Sequence, residues 1–207
     1  MKKFLLVASI ALFGLTANAQ EKENKGLEGT WWVAGQVSFS SDEEVGTKTT
    51  SNTILPVAGY FVSPDVTLGL GIGVIGSKEE TTVGTTTTTT NDVTALVIQP
   101  LVRKYWGLGG KFYFFGQASL PITMGKDKLS DDKVTSFGVD IAPGFDFIVN
   151  KWMIVETTFS LVNLTSTSTN PNVGDSTSDF SFNANPFDLN PGNRSVGGLR
   201  VGVKFLF

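Results

Sequence analysis

From Val66 to Val74 the chain sets a bulky aliphatic residue at every second position (Val66, Leu68, Leu70, Ile72, Val74), with Gly69, Gly71 and Gly73 between them. The last eleven residues repeat the device: Leu199, Val201, Val203, Phe205 and Phe207 alternate with Gly198, Arg200, Gly202 and Lys204. A third stretch sets Phe137, Val139, Ile141, Phe145 and Phe147 against Gly138, Ala142 and Gly144. A period of two belongs to an extended strand, whose side chains point alternately to its two faces. Here one face is greasy and the other carries almost no bulk. Such a wall separates an apolar medium from a cramped space, and small residues suit the narrow interior of an eight-stranded barrel.

Alternation picks out eight strands, at about 30–40, 52–61, 67–77, 93–105, 111–122, 134–149, 152–164 and 195–207. Long polar segments at 41–51, 78–92, 123–133 and 165–194 follow every odd strand. Tight turns around Ser63-Pro64-Asp65, Gly107-Leu108-Gly109-Gly110 and Asn150-Lys151 follow the even ones. That rhythm predicts an all-β fold: an eight-stranded antiparallel up-and-down transmembrane β-barrel with short periplasmic turns and long extracellular loops. Pro56, Pro100 and Pro143 each stand seven residues before a tight turn. Proline donates no hydrogen bond, so a missing rung or a bulge is expected at each.

Charge placement sharpens the reading. Of the 33 charged residues left after the leader is removed, only Arg103, Lys104, Lys111, Asp140, Asp146, Glu156, Arg200 and Lys204 fall in expected strands. By parity Arg103, Asp140, Asp146, Glu156, Arg200 and Lys204 face inward, three of each sign. Asp146 and Glu156 share a depth on adjacent strands, so Glu156 is expected to pair with Arg200 or Lys204 and to close the lumen with a polar network; buried charges are tolerated only when paired. A narrow ion pathway through that network is the functional alternative. All four tryptophans and all three tyrosines (Trp31, Trp32, Tyr60, Tyr105, Trp106, Tyr113, Trp152) lie close to the short-turn rim. They are expected to form a periplasmic aromatic girdle.

Lys2 and Lys3, the apolar run Phe4 to Leu15, and Ala17-Asn18-Ala19 read as an export signal cleaved before Gln20. The expected organisation is a signal peptide at 1–19, an N-terminal periplasmic tail at 20–29 and an outer-membrane barrel domain at 30–207. The chain has no cysteine, which excludes a lipid-modified cysteine and disulfides. Without the two leader lysines, 14 basic residues face 19 acidic ones, which argues against nucleic acid as a partner. Histidine is also absent, which removes Ser-His-Asp hydrolysis and His-ligated metal sites. Gly69-Leu70-Gly71-Ile72-Gly73 lies in a strand and lacks the lysine of a phosphate loop. No catalytic, cofactor-binding or metal-binding residue is therefore assigned, and no cofactor is expected.

The segments PVAGYFVSPDVTLGLGIG (56–73), IQPLVRKYW (98–106) and APGFDFIVNKWMIVE (142–156), with the ending GVKFLF, resemble the small outer-membrane β-barrel family of OmpX and OmpA type, in the version common in Bacteroidota. The resemblance implies an outer-membrane location in a Gram-negative bacterium, reached by export through the inner membrane. It implies that Phe205 and Phe207 are read by the barrel-assembly machinery before the last strand pairs with the first. It carries no active-site residues. The tracts Thr85–Thr90 and Thr165–Thr169 are expected to be hydrated and mobile. Asp42, Glu43, Glu44, Glu79, Glu80, Asp175, Asp179 and Asp188 would make the outer rim negative and could gather divalent cations that bridge lipopolysaccharide. Asp175-Ser176-Thr177 resembles a short O-glycosylation signal, and an extra short strand is expected near Phe180-Ser181-Phe182.

The leading expectation is a non-enzymatic outer-membrane barrel with a structural or surface-interaction role, a plugged lumen and loops as its contact surface. Its partners would be outer-membrane lipid and lipopolysaccharide, with the assembly machinery during biogenesis. A porin-like passage for small solutes is the alternative. A secreted, lipocalin-like barrel holding an apolar ligand is the alternative of another class. Exposure of Leu68, Leu70, Val201 and Val203 separates these, because swapping inside for outside preserves the alternation.

Overall fold

The computed structural model describes residues 26–172, 174–184 and 200–207. The expected signal peptide, residues 20–25 of the tail, residues 195–199 of the last strand and Asp188 lie outside them. Among the described residues the strands are β1 (Trp31–Glu44), β2 (Thr47–Ser63), β3 (Val66–Val83), β4 (Thr86–Gly109), β5 (Phe112–Ser119), β6 (Ile122–Asp127), β7 (Lys133–Asn150), β8 (Met153–Thr158), β9 (Val162–Asn170), β10 (Thr177–Asn183) and β11 (Arg200–Leu206). All pairs are antiparallel, and the path β7-β5-β4-β3-β2-β1-β11-β8 closes on itself through β7–β8. β6 continues β5 and β9 continues β8, so the ring has eight staves. β10 is an added strand on β9, covering the segment where a short one was expected. The seam is brief: β1 meets β11 at Trp32↔Leu206, Val33↔Phe205 and Ala34↔Lys204. Trp31 and Phe207 then exchange backbone hydrogen bonds of 3.2 and 2.9 Å.

Exposure fixes the orientation of the wall. Leu68 (51%), Leu70 (44%), Val201 (69%) and Val203 (41%) all point outward. On β7 the outward series runs from Phe137 to Phe147. Ten residue steps at ~3.4 Å, tilted ~40°, rise about 26 Å, the height of a barrel's apolar band. A soluble barrel gathering apolar side chains round a ligand is the opposite arrangement.

Three expectations are corrected. The segments 41–51, 78–92 and 123–133 are not long loops, because the strands run through them to tight turns at 45–46, 84–85 and 128–132. Gly46 (φ 79°) and Gly84 (φ 63°) supply the left-handed backbone that the first two turns require. Thr85–Thr90 therefore lies almost wholly in β4, and Thr165–Thr169 in β9 between β7 and β10. Threonine is a strong strand former, and ladders such as Thr82–Thr87 (Oγ1 to Oγ1, 2.9 Å) need no apolar core once the hairpin has closed. Of the seven girdle aromatics, Trp31, Tyr60, Trp106 and Trp152 face outward, but Trp32, Tyr105 and Tyr113 face inward. Their neighbours in sequence occupy the outer face, and strict alternation leaves them no choice.

At each of the three prolines the ladder breaks as expected. Leu55 and Pro56 drop out of pairing with β3 between Ile54↔Val74 and Val57↔Gly71. Opposite Pro100 the partner strand passes from β5 to β6 at Leu120-Pro121. Opposite Pro143 the register slips by one residue across Phe159-Ser160-Leu161, between Gly144↔Thr158 and Ile141↔Val162.

The lower lumen is filled. Trp32, Phe61, Leu101, Tyr105, Phe115, Ile154 and Leu206 form its packed cluster, with Leu27 and Tyr113 against it. Trp32 Nε1 donates to Thr67 Oγ1 at 2.7 Å, and the indole lies where a Cβ on Gly59 would stand.

Gly59→Ala is therefore expected to cost about 1–3 kcal/mol through displacement of Trp32, whereas Gly35→Ala, with open space around its Cβ, stays near wild type. Urea unfolding followed by gel mobility distinguishes them, and equal midpoints would contradict the packing. Above the apolar band, Asp127 is held below the usual carboxylate range chiefly by the N–H of Leu129 (2.9 Å); burial opposes this, and the N–H of Asp92 adds to it. A depressed folded pKa contributes stability in full above the unfolded value of about 4, and that contribution is lost as pH falls through the folded value. Amide-exchange protection at Leu129, corrected for intrinsic rate, should drop across that window in the wild type and stay low throughout in Asp127→Ala, which has no acceptor for that N–H.

Candidate functional site

Inward parity on five staves converges on one level just above the aromatic cluster. β4 supplies Arg103 and Tyr105, β5 supplies Gln117, β7 supplies Asp146, β8 supplies Glu156 and β11 supplies Lys204. Asp146 and Glu156 are register partners across β7–β8, so two carboxylates face each other directly on the inner wall. Like charges so placed are destabilising without a cation between them. Lys204 provides it: its Nζ donates to Asp146 Oδ2 at 2.5 Å and to Tyr105 Oη at 2.9 Å, and lies 2.9 Å from Glu156 Oε2. Arg103 grips Glu156 with both terminal nitrogens, Nη2 reaching Oε1 at 3.2 Å, while its Nε donates to Gln117 Oε1 at 2.6 Å.

Both cations also lie over aromatic faces. The Arg103 guanidinium is 4.6 Å from the Phe115 ring centre and 5.0 Å from that of Trp32. The Lys204 ammonium is 5.3 Å from the rings of Trp32 and Tyr105. Lys204 is fully buried, and Arg103 and Asp146 nearly so. The group is neutral as a set, two cations with two carboxylates, which makes its burial tolerable. Among the described residues, Asp146 Oδ1 is the buried side-chain polar atom that has no hydrogen-bond partner.

Above this level the lumen opens into a cavity of about 1060 Å³, with Arg103, Glu156 and Gln117 at its floor and Ser38, Asp42 and Glu44 among its walls. A side chamber of about 210 Å³ includes Gln36, Gln99, Asp140, Asn163 and Arg200. Asp140 is buried and accepts from the Ser160 hydroxyl, away from the neck. Arg200 lines both spaces and makes no contact with Glu156 among the described residues. Of the two cations anticipated for Glu156, Lys204 is the one that meets it.

Arg103 as its second partner, Gln117, and the Trp32–Tyr105–Phe115 box were missed. All share the inward parity that singled out Lys204, so face assignment extended to neutral side chains would have found them. Phe205 faces outward and stacks on Trp152 (centroids 5.9 Å apart, planes 7° apart). Among the described residues no group of three carboxylates could hold a metal ion.

No protein-family model matches the chain, and no curated protein does. Among solved structures it is similar to the outer membrane protein OprG from Pseudomonas aeruginosa, with a TM-score of 0.52 and 15% identity over 87% of this chain and 96% of that one. A loop-deletion mutant of OmpT from Vibrio cholerae aligns with a TM-score of 0.32 and 10% identity over 92% of this chain and 70% of that one. The fold is that of an outer-membrane β-barrel, a likeness that rests on the first of these.

Lys204→Met leaves two facing carboxylates without their shared cation and should lower stability by about 3–5 kcal/mol. Adding Asp146→Asn and Glu156→Gln to that variant should recover much of the loss. Urea midpoints of the refolded proteins, read from the faster gel migration of the unheated barrel, give the comparison; an unchanged midpoint in Lys204→Met would remove its central role.

Proposed function

We propose that the chain is a non-enzymatic outer-membrane protein of a Gram-negative bacterium, a barrel whose periplasmic neck is sealed and whose cavity faces the exterior. Within outer-membrane barrels it fits the OmpX and OmpA type of Bacteroidota. The single observation that carries the reading is the neck: Arg103, Glu156, Lys204 and Asp146 packed over Trp32, Phe61, Tyr105 and Phe115, with Lys204 wholly buried.

The outward aliphatic band supports residence in lipid, since a closed ring satisfies its backbone internally. The strands that continue past that band supply the contact surface, and lipopolysaccharide is the first neighbour they would meet. Phe205 and Phe207 serve recognition by the assembly machinery. The absence of histidine and cysteine supports a role without catalysis, and the charged side chains of the neck bind one another rather than activating a nucleophile.

Planar-bilayer recording tests the seal. The wild type should pass no steady current, whereas the Arg103→Ala, Lys204→Ala pair should conduct. Steady, voltage-independent conductance in the wild type would overturn the sealed neck in favour of a narrow pore for small solutes.

A further inference from the structure

Above the apolar band, the outer faces of β6 and β7 set two cations side by side. Lys126 and Lys133 are register partners, both exposed and both on the outward parity that carries Met124 and Phe137. Among the described residues no other ladder puts one cation directly opposite another. Like charges so placed repel. The carboxylates nearby are already engaged: Asp131 with Lys126 at 2.6 Å, and Asp92 with Lys128 at 2.9 Å. Asp127 Oδ1 accepts the N–H of Leu129, and Asp132 Oδ1 that of Asn172 at 2.8 Å. Lys133 is left without a hydrogen bond or ion pair among the described residues.

Their height decides what meets them. Met124 and its register partner Leu96 are the uppermost large apolar side chains on the outer faces of β6 and β4, and both are exposed. Lys126 is the next outward position on β6. Two rises of ~3.4 Å on a strand tilted ~40° lift its Cα about 5 Å above that of Met124. The polar layer of a bilayer is about 5–8 Å deep on each side of its hydrocarbon, so the pair stands among lipid headgroups. The lysine stems can lie along the apolar surface while their ammonium ends stay in that layer. Thr94, opposite Lys126, and Thr135, two residues from Lys133, add exposed hydroxyls on the same face.

We infer that the outer face of the β6–β7 hairpin is a binding site for a phosphorylated glycolipid of the outer leaflet, its phosphate held directly by Lys126 and Lys133. A phosphomonoester carries a charge of about −1.5 to −2 and three acceptor oxygens. Two ammonium groups whose Cβ atoms lie about 5 Å apart match that charge. An ammonium has three donors, so Lys126 serves Asp131 and the phosphate together. The acyl chains lie over Met124, Leu96 and Phe137, and the threonine hydroxyls face the sugar. A phosphodiester headgroup brings a single charge and is held less firmly, and no divalent cation is needed between protein and lipid. The site rests on the reading of these hairpins as exterior, and its residues take no part in the seal.

The test is native mass spectrometry of the full mature chain, refolded in detergent micelles with EDTA present, on adding bisphosphorylated lipid A, its dephosphorylated form or phosphatidylglycerol. Lipid A should bind, and each of the other two at least about tenfold more weakly, the range of a hydrogen bond to a charged group. Lys126→Gln with Lys133→Gln should erase that preference, and the corresponding pair of arginines should keep it. Lys48→Gln, at an exposed lysine of β2 outside the site, should also keep it. Equal binding of the three lipids, an equal loss in Lys48→Gln, binding of lipid A only when EDTA is left out, or its displacement by about 10 mM inorganic phosphate would overturn the site. Should the double glutamine variant fail to fold, as judged by its migration unheated, the lipid series on the wild type decides alone. Absence of the preference in a barrel that stays closed to current sinks the site alone, whereas a conducting barrel that keeps the preference sinks the seal and leaves the site standing.

Discussion

Two carboxylates set directly opposite each other, Asp146 on β7 and Glu156 on β8, demand a cation, and the strand that closes the ring delivers it. Lys204 lies on β11, which among the described residues meets β1 over three residues in register. The barrel must close there because an open edge in lipid leaves unsatisfied polar groups. Lys204 ties that seam across the lumen to β4, β7 and β8, so closure and sealing are one event. A chain with Asp146 and Glu156 in place but β11 absent would keep Arg103 on Glu156 and leave Asp146 without a cation.

The aromatic residues serve the same arrangement. Trp32, Tyr105 and Phe115 furnish ring faces to both cations while excluding water from below. Gly59 lacks a side chain because Trp32 occupies its place. The neck is thus a polar network framed by apolar rings, and each part would be costly alone: the charges for want of counter-ions, the tyrosine hydroxyl for want of a partner.

The wall was legible in the sequence because its rule is local: a period of two with bulk on one face declares an orientation that Leu68, Leu70, Val201 and Val203 bear out. The inward position of Arg103, Asp146, Glu156 and Lys204 followed from parity for the same reason. Pairing is not local. That Arg103 rather than Arg200 completes Glu156 depends on shear between β4 and β8, staves that never touch, and no spacing along the chain encodes it. Trp32 and Tyr105 stand at the depth of the girdle but on its inner side, and parity carries that difference where depth does not. The polar hairpins read as loops in the sequence because their alternation carries no apolar signal; Thr47↔Thr81 and Thr81↔Thr88 are register partners of the backbone ladder, and Thr82 meets Thr87 through its hydroxyl.

The broken rungs at Pro56, Pro100 and Pro143 stand at one height, since each proline is seven residues from its turn. The seal lies about three residues beneath them, at Gly59, Arg103 and Asp146. The breaks fall on three ladders, β2 with β3, β4 with β5 and β6, and β7 with β8 and β9, while β1–β2 and β3–β4 run through that height unbroken. The collar cross-braced by ion pairs therefore ends where every second ladder loosens, and strain carried down a stave can be relieved at those rungs before it reaches the charges beneath.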